Sequence, residues 1–336
     1  MTNRTDNMDR PLVSIIVPVY RAERFLDECV ASLTGQTYRE LDIVLVDDAS
    51  PDSCPEMCDA WAARDSRVRV SHTSGGGASA ARNAGLDMAQ GDAVMFVDSD
   101  DVLDSQAVER ALAAMQATDS AVVIFGKRYI DENGSVQRTS AIDHDMVCDG
   151  TSYDENLAYL LDHDYLSPPW GKLFGRSVID GLRFDETMVY EEDLDFNLRA
   201  LANRPRVCAM AEAMYRYRHM DSGMATVYSE AKVVNVIAAN RSKLRFFDGR
   251  LGKEGLKSLD HHIANDVGWI IPQIAGAHDV PIGRRIQDIM SMTSEPAYRR
   301  HLVHGLPHAG LTRRLKMLML VNARWLWRIY MRGWEE

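Results

Sequence analysis

The sequence predicts an α/β protein in which a mainly parallel sheet is flanked by helices and followed by a mostly helical C-terminal extension. Over residues 11–125, apolar runs of strand length alternate with segments of helical spacing, a pattern typical of parallel strands joined by helices. From about Ser229 onward the pattern is mostly helical. With 336 residues, 46% of them hydrophobic, the chain is long enough to bury a sizeable core.

Strands and helices are predicted in alternation along the first part of the chain. The predicted strands cover residues 12–17, where Pro18 is expected to end the strand, and residues 41–46, 68–70, 93–97 and 121–125. The predicted helices cover residues 25–33, a segment around Trp61, and residues 78–88 and 108–115. Further on, residues 131–134 are predicted as the turn of a hairpin and residues 153–161 as a short helix.

Composition narrows the class of protein. The formal net charge of −11 argues against a nucleic-acid-binding protein, which would need a basic face. The five cysteines are scattered without a CxxC pair, which fits a reducing cytoplasm. No apolar signal core or membrane-spanning stretch is present. We predict a cytoplasmic protein with a disordered tail over residues 1–10, an α/β domain over 11–225 and a helical region over 226–336.

The most informative motif is Asp98-Ser99-Asp100-Asp101, which follows a buried strand. Three carboxylates within four residues repel one another and are costly to desolvate unless a cation joins them. Asp oxygens suit a hard divalent cation such as Mg²⁺ or Mn²⁺, which often bridges protein to phosphate. The alternative is a solvated acidic turn, or a helix N-cap provided by Asp101 or Asp104.

A second acidic pair, Asp47-Asp48, ends the predicted strand of residues 41–46. Ligands of doubly wound sheets bind beyond the carboxyl ends of the strands. Because both acidic motifs fall at such ends, we expect them to be neighbours at one edge of the sheet.

Glu192 and Asp193 stand at a predicted helix start, because Leu194, Leu198 and Leu201 follow at helical spacing. Acids at this position complement the helix dipole and stay ionised, which by itself explains their presence. The functional alternative is a carboxylate that is held ionised to take a proton from a hydroxyl.

A glycine-rich loop over residues 74–77 runs into a helix of small residues. Such a loop lets a ligand approach the backbone closely, and Arg82 in that helix is a candidate for binding phosphate or a carboxylate. A dinucleotide-binding loop is the rival interpretation, but that fingerprint should directly follow the first strand. Residues 18–21 follow it without glycine, which disfavours both a NAD-dependent oxidoreductase and a nucleotidyltransferase.

Four further side chains are candidates from their positions. Tyr20 follows the first strand, where its ring can stack on a planar base or simply pack. Trp170 and Lys172 lie near a Pro-Pro break, where an aromatic ring can stack against a sugar face. His219 is a candidate metal ligand or phosphate donor, although a lone histidine is more often neither.

Taken together, these motifs resemble the family 2 glycosyltransferases, whose GT-A fold is a Rossmann-like sheet flanked by helices. The resemblance rests on the order and spacing of seven segments within residues 11–220. They are VSIIVPVY (13–20), SLTGQTY (32–38), VDDASPD (46–52), SAARNAG (79–85), FVDSDD (96–101), WGKLF (170–174) and ED (192–193).

The resemblance implies a nucleotide-diphosphate-sugar donor, with a UDP-sugar as the expected form and another pyrimidine nucleotide or GDP as the alternative. It implies that Asp48 accepts a hydrogen bond from the base and that Pro18 and Tyr20 line the same pocket. The other implied donor-binding residues are Arg82, Asp98, Ser99 and Asp100.

The resemblance also implies a divalent cation, Mn²⁺ or Mg²⁺, held by Asp100 and Asp101. His219 is a further candidate ligand from its position alone. Asp193 matches the catalytic base of the family, and Glu192 matches its companion acid. The base would deprotonate the acceptor hydroxyl, and the cation would stabilise the departing diphosphate. The hydroxyl oxygen then displaces the diphosphate at the anomeric carbon in a single step, which inverts the configuration of that carbon.

Trp170 and Lys172 are the expected contacts of the acceptor, which is expected to be a saccharide, a lipid-linked glycan or a protein glycan. By the resemblance, residues 11–125 bind the nucleotide-sugar and residues 126–225 form the acceptor side. Two positions depart from the family pattern, since Arg21 replaces a common Asn and Ala49 replaces a common Gly.

Residues 311–336 interleave basic residues with apolar ones and tryptophans. This composition is compatible with an interfacial helix at an anionic membrane, but a helix packed on the catalytic domain or on a second copy in a homodimer is the favoured interpretation. Residues 321–325 lack the leading Gln of the Gln-x-x-Arg-Trp motif of polymerising members, which favours a non-processive enzyme. The alternative of another class is a nucleotide-sugar-binding protein without turnover, which would not need a base such as Asp193.

Overall fold

The computed structural model describes residues 10–219, 228–294 and 296–305, and these divide into two compact units. The first unit contains the described residues up to Tyr153, Pro168–Glu186, and those from Glu192 to residue 219. The second contains Asp154–Ser167, Thr187–Glu191 and the described residues from 228 onward.

Ten strands occur in the described part of the chain, and all belong to the first unit. They are β1 (Val13–Val19), β2 (Leu41–Asp47), β3 (Val68–His72), β4 (Ala93–Phe96), β5 (Val102–Leu103), β6 (Val122–Ile130), β7 (Val136–Ser140), β8 (Met146–Cys148), β9 (Lys172–Gly175) and β10 (Val207–Arg218).

Helices flank these strands and make up most of the second unit. They are α1 (Leu26–Thr34), α2 (Cys54–Arg64), α3 (Gly77–Met88), α4 (Ala107–Thr118), α5 (Tyr153–Asp162), α6 (Arg176–Ile179), α7 (Glu192–Ala200), α8 (Glu230–Phe246), α9 (Lys253–Gly276), α10 (Ile282–Ser294) and α11 (Pro296–Gly305), with a 3₁₀ turn at Gly150–Ser152. The helical character predicted from about Ser229 onward is confirmed for the described residues. Residues 311–336 lie outside the described residues, as do residues 1–9.

The strands form one mixed sheet in the order β3-β2-β1-β4-β9-β6-β10-β5, with β7 beside β6 and β8 beside β10. The block β3-β2-β1-β4 is parallel, as the alternation of strands and helices predicts. The β6–β7 hairpin is also confirmed. The short strand β9 lies antiparallel between β4 and β6, which makes the sheet mixed.

Pro18 does not end the first strand, contrary to the sequence prediction. It lies within β1 and pairs with Val46 of β2. The N–H of Val97 donates to the carbonyl of Ile16, so the backbone of Ile16 and, two residues on, that of Pro18 face β4. Because the β4 ladder ends at Ile16, the missing N–H of Pro18 leaves no ladder partner unsatisfied.

The apolar core lies between the sheet and the helices of the first unit. Buried side chains of β1, β2, β4 and β6 pack against those of α1, α2 and α4. On the other face, α3 approaches β1 closely, because a Cβ at Gly85 would lie only 2.3 Å from Cγ2 of Ile16. This contact fixes against the sheet the helix that carries Arg82.

Candidate active site

The carboxylate of Asp48 organises the glycine-rich loop. Its Oδ1 accepts hydrogen bonds from Oγ1 of Thr73 at 2.6 Å and from the N–H of Gly76 at 3.0 Å, and its Oδ2 accepts from the N–H of Gly77 at 2.7 Å. The N–H of Asp48 donates to the carbonyl of Val19, which ties the end of β2 to the end of β1. Asp48 therefore holds the start of α3, and the base contact predicted for it stays a prediction.

Two residues at this edge have a left-handed backbone, with φ of 51° at Arg21 and 57° at Ala49. Asn and Gly, the residues common at these positions in the resembled family, tolerate such a φ better than other residues. The guanidinium of Arg21 lies 5.3 Å from the ring centroid of Tyr20. Tyr20 is 47% exposed and so is accessible to a ligand, whereas Pro18 is partly buried.

The acidic motif leaves β4 at the same edge, where only β1 separates β4 from β2. Asp101 is fully buried, and its two oxygens accept from the N–H of Arg218 and the hydroxyl of Tyr215, each at 2.7 Å. The Tyr215 oxygen also accepts from the N–H of Asp98 at 3.1 Å, and Nε of Arg218 donates to the carbonyl of Asp100 at 2.8 Å. Strand β10 therefore fixes the conformation of the acidic turn.

Sequence reasoning missed Tyr215 and Arg218. Both lie on β10, where an alternation of aromatic and basic residues also fits an ordinary strand. Their contacts with Asp101 span 114 and 117 residues of sequence, so no local pattern reveals them.

The carboxylate of Asp100 is more available to a bound cation than the carboxylate of Asp101. Burial, followed by the charge of Asp98, raises the pKa of Asp100 to about 6, although the charge of Arg218 acts in the opposite direction. Burial and the charges of Asp100 and Asp98 also raise the pKa of Asp101. Both Asp101 oxygens already have protein donors, so Asp100 is the more available carboxylate of this turn.

No group of three or more His, Cys, Asp or Glu residues that would hold a metal by themselves occurs in the described part of the chain. Mg²⁺, however, is commonly bound through one or two carboxylates together with substrate phosphates. The Asp100 carboxylate lies close to the charge of Asp98 and forms no salt bridge within the described part of the chain, so it fits a cation shared in this way. His219 is exposed, and its N–H donates to the carbonyl of Ile130; Ser99 is buried within the turn.

Arg82 joins the acidic turn to the start of α7. Its Nη1 donates to Oδ1 of Asp193 at 2.8 Å, and its Nη2 donates to Oδ1 of Asp98 at 3.0 Å. The guanidinium is buried and also lies 5.4 Å from the ring centroid of Phe184. Although burial acts to lower it, Asp193 and Asp98 raise the pKa of Arg82. Of the two partners predicted for Arg82, phosphate or carboxylate, the structure contains the carboxylates.

Asp193 has the protonation behaviour expected of a base that works near neutral pH. Burial raises the pKa of Asp193 to about 7, while Arg82 acts in the opposite direction and Glu192 adds to the rise. A quarter of the Asp193 side chain, 26%, remains exposed. The helix that carries it begins at Glu192, as predicted. A group with a pKa near the working pH is suited to general base catalysis.

Trp170 and Lys172 lie in the interior, with 8% and 1% of their surface exposed. The Trp170 ring stacks on the Tyr215 ring with 4.5 Å between centroids and 7° between planes. Nζ of Lys172 and Nδ2 of Asn197 both donate to the carbonyl of Pro168. These two residues support β10 and α7 from within, and the acceptor contacts predicted for them stay predictions.

A mixed sheet with a loop-bound aspartate, an acidic turn and an arginine-linked carboxylate beyond its parallel strands defines an α/β enzyme of the GT-A class. Residues 14–172 match the family model described as Glycosyl transferase family 2. The chain is 31% identical over 241 residues to EpsJ, an uncharacterized glycosyltransferase of Bacillus subtilis (strain 168), covering 71% of this chain and 70% of EpsJ. The chain therefore belongs to glycosyl transferase family 2 and is a glycosyltransferase.

Solved structures confirm the fold. TarS of Staphylococcus aureus, a poly(ribitol-phosphate) beta-N-acetylglucosaminyltransferase, is 26% identical over 236 residues, which are 67% of this chain and 39% of TarS. The crystal structure of TarS 1-349 in complex with UDP-GlcNAc has a TM-score of 0.68 at 21% identity and covers 96% of this chain and 92% of that one. The mannosyltransferase PcManGT from Pyrobaculum calidifontis, in complex with GDP-Man and Mn²⁺, has a TM-score of 0.54 at 16% identity, covering 95% and 88%.

Proposed function

We propose that this enzyme is an inverting, non-processive glycosyltransferase that moves a sugar from a nucleotide-diphosphate-sugar to an acceptor hydroxyl. The observation that carries the proposal is the guanidinium of Arg82, which links Asp98 of the acidic turn to Asp193. The positively charged side chain of Arg82 thus connects Asp98, a proposed donor-binding residue, with Asp193, the proposed base. A UDP-sugar is favoured because TarS, a relative with the same fold, has been crystallised with UDP-GlcNAc.

The donor is proposed to bind beyond the carboxyl ends of the parallel strands. The accessible ring of Tyr20, with Pro18 and Asp48 beside it, receives the base. Arg82 and the acidic turn of Asp98, Ser99 and Asp100 receive the diphosphate and the sugar, with Arg82 supplying a permanent positive charge. When bound, Mn²⁺ or Mg²⁺ on Asp100, with Asp101 and His219 as further candidate ligands, would neutralise charge on the departing diphosphate.

Asp193 performs the proton transfer in this proposal. Its carboxylate takes the proton of the acceptor hydroxyl while that oxygen forms a bond to the anomeric carbon. The bond from that carbon to the diphosphate oxygen breaks on the opposite face, and the nucleoside diphosphate leaves with the electron pair. Glu192 assists by orienting the acceptor. One displacement inverts the anomeric configuration, so no covalent enzyme intermediate forms.

On the acceptor side, Trp170 and Lys172 are proposed to shape the pocket through its buried wall, since both are almost fully enclosed. The acceptor is proposed to be a saccharide, lipid-linked or protein glycan of cell-surface polysaccharide or glycoconjugate synthesis. No helix in the described ranges has the length and apolar character to cross a bilayer. The proposed location is the cytoplasm, with peripheral membrane contact or homodimer formation through residues 311–336.

Asp193→Asn tests the proposal. We expect it to lose almost all UDP release from UDP-GlcNAc, by a factor of about 10² or more, because removal of a general base commonly costs this much. Its affinity for UDP, measured by isothermal titration with MnCl₂, should match that of the wild type.

Asp195→Asn is the matched control, because Asp195 lies in the same first turn of α7 but pairs with Arg199. It should retain UDP release. UDP binding without any sugar transfer in the wild type, across a panel of UDP-sugars and acceptors, would favour the alternative of a nucleotide-sugar-binding protein without turnover.

A further inference from the structure

The segment that leads into α7 is held by helix α8 at three consecutive residues, and both belong to the second unit. The pairs are Val189 with Asn235 (N–H to Oδ1, 3.0 Å), Tyr190 with Lys232 (ring centroid to Nζ, 5.8 Å) and Glu191 with Lys243 (Oε2 to Nζ, 3.4 Å). A hydrogen bond, a cation–π contact and an ion pair therefore fix this short segment along one helix.

Glu191 has a left-handed backbone, with φ of 65°. Glycine adopts this conformation readily, whereas an L side chain such as that of glutamate does so at a cost. Such a residue persists only where its surroundings fix it, and strained residues of this kind cluster at functional sites. The contacts of the Glu191 side chain supply that restraint.

The restraint is a buried charge cluster. The Lys243 side chain is fully buried and pairs with the carboxylates of Glu191 and Asp266, whose side chains are 11% and 12% exposed. Nε2 of His262 lies 3.6 Å from Oδ1 of Asp266, and burial, with Lys243, lowers the pKa of His262 to about 3. His262 is therefore neutral at physiological pH, and Lys243 is the cation shared by the two carboxylates.

An ion pair of this kind is an inefficient way to add stability. Well-packed apolar residues in place of a buried ion pair are often neutral or stabilising, because desolvation of the charges offsets their attraction. A buried ion pair does, however, favour the backbone conformation in which its two charges meet, which an apolar contact does less well. The ion pair of Glu191 is therefore better explained by its effect on the backbone conformation at this residue than by a contribution to stability.

The residue after Glu191 is Glu192, the first residue of α7, and the next is Asp193. We infer that Glu191 and Lys243 are positioning residues, which fix the entry of the chain into α7 and so the placement of Asp193. The inference rests on the proposed role of Asp193 as base.

Glu191→Gly is the decisive variant, because glycine accepts the backbone conformation while the anchoring carboxylate is removed. Lys243→Met removes the other partner. Asp119→Gly is the matched control, since Asp119 ends α4 with a similar φ of 49° and is exposed.

Two measurements separate positioning from catalysis. The carboxyl ¹³C resonance of Asp193, assigned by its loss in Asp193→Asn, gives the titration midpoint of that carboxyl without any substrate. UDP release from UDP-GlcNAc and UDP affinity, both with MnCl₂, give the catalytic readout.

We expect Glu191→Gly and Lys243→Met to move the Asp193 midpoint by about half a unit or more, since its neighbours set that midpoint. UDP release should fall about tenfold or more, as for other small displacements of a catalytic group, while UDP affinity stays constant. Asp119→Gly should change none of the three.

A folded Glu191→Gly variant with the wild-type midpoint and rate would overturn the inference, whatever Lys243→Met does to folding. A wild-type enzyme that binds UDP but transfers no sugar would instead count against the proposed function. The titration midpoints would still decide whether Glu191 and Lys243 position Asp193.

Discussion

Nη1 of Arg82 lies 2.8 Å from Oδ1 of Asp193, so a permanently charged guanidinium holds the carboxyl that is proposed to act as base. Burial and Arg82 have opposite effects on that carboxyl, and together they leave its pKa at about 7. Without Arg82, the carboxyl group of Asp193 would stay protonated over more of the physiological pH range. Arg82 thus contacts the proposed base as well as Asp98 of the acidic turn.

Arg82→Met should move the pH dependence of UDP release to higher pH. Asp193 accepts a proton only when ionised, so the rate falls as the pH drops through its pKa of about 7. Because Arg82 lowers that pKa, its removal should raise the midpoint of the acid limb by about one unit or more. The pH–rate profile with UDP-GlcNAc measures the shift.

Arg183→Met is the control for this shift, because Arg183 forms an exposed pair with Asp87 on the same unit. Its profile should overlay that of the wild type. A folded Arg82→Met enzyme with an unmoved acid limb would rule out Asp193 as the group that titrates.

Asp100→Asn should affect metal-dependent UDP binding, whereas Asp101→Ala should affect stability, because the two carboxylates differ in their partners. Asp100→Asn should abolish the difference between UDP affinity in MnCl₂ and in EDTA, as measured by isothermal titration. It should not lower stability at neutral pH, because ionisation of Asp100, whose pKa is raised to about 6 in the folded state, opposes folding above its unfolded value of 3.8.

Asp101→Ala should instead leave the Tyr215 hydroxyl and the Arg218 N–H without an acceptor in the interior. The expected loss is about 2–6 kcal/mol of unfolding free energy in urea, since each of the two buried groups left without an acceptor costs about 1–3 kcal/mol. Unchanged stability of Asp101→Ala, or metal-dependent UDP binding by Asp100→Asn, would contradict this division of roles.

Asp48→Ala should loosen the glycine-rich loop. The variant removes the acceptor of the Gly76 and Gly77 amides, so those amides should exchange with solvent about tenfold faster or more, as expected when a loop opens locally. Hydrogen exchange of the peptide that contains both glycines measures this. UDP affinity should also fall if Asp48 contacts the base.

Thr73→Val is the matched variant, because it keeps the contacts of Asp48 with the Gly76 and Gly77 amides while it removes the hydroxyl that donates to Asp48 and accepts from the N–H of Gly75. It should leave the Gly76 and Gly77 amides protected. If Asp48→Ala keeps them equally protected, the loop is held by something other than this carboxylate.

Much of the fold was predictable, because the spacing of apolar residues within short segments indicates which segments form strands and helices. The parallel block β3-β2-β1-β4, the β6–β7 turn and the start of α7 at Glu192 each follow from apolar spacing and from the residues that end an element. The position of β9 between β4 and β6 was not predictable in this way. It is four residues long, and only long-range pairing decides where such a strand inserts.

The candidate site likewise has features that could be predicted from the sequence and features that could not. The acidic motifs were identified because they directly follow strands, and their common edge follows from the topology. The ion pair of Arg82 with Asp193 spans 111 residues, and the clamp of Tyr215 on Asp101 spans 114. A single sequence contains no local signal for either contact, so residue type alone left both phosphate and carboxylate open for Arg82.

Arg21→Asn combined with Ala49→Gly should stabilise the enzyme, because both native residues adopt a left-handed backbone, with φ of 51° and 57°. Relief of this strain should raise the unfolding free energy in urea by about 1 kcal/mol, part of the gain being offset by the greater chain entropy of glycine. Ala31→Gly, at an exposed position within α1, should instead lower it by about 0.5–1 kcal/mol. If the double variant loses stability as Ala31→Gly does, the side chains of Arg21 and Ala49 contribute more to the fold than their backbone conformation costs.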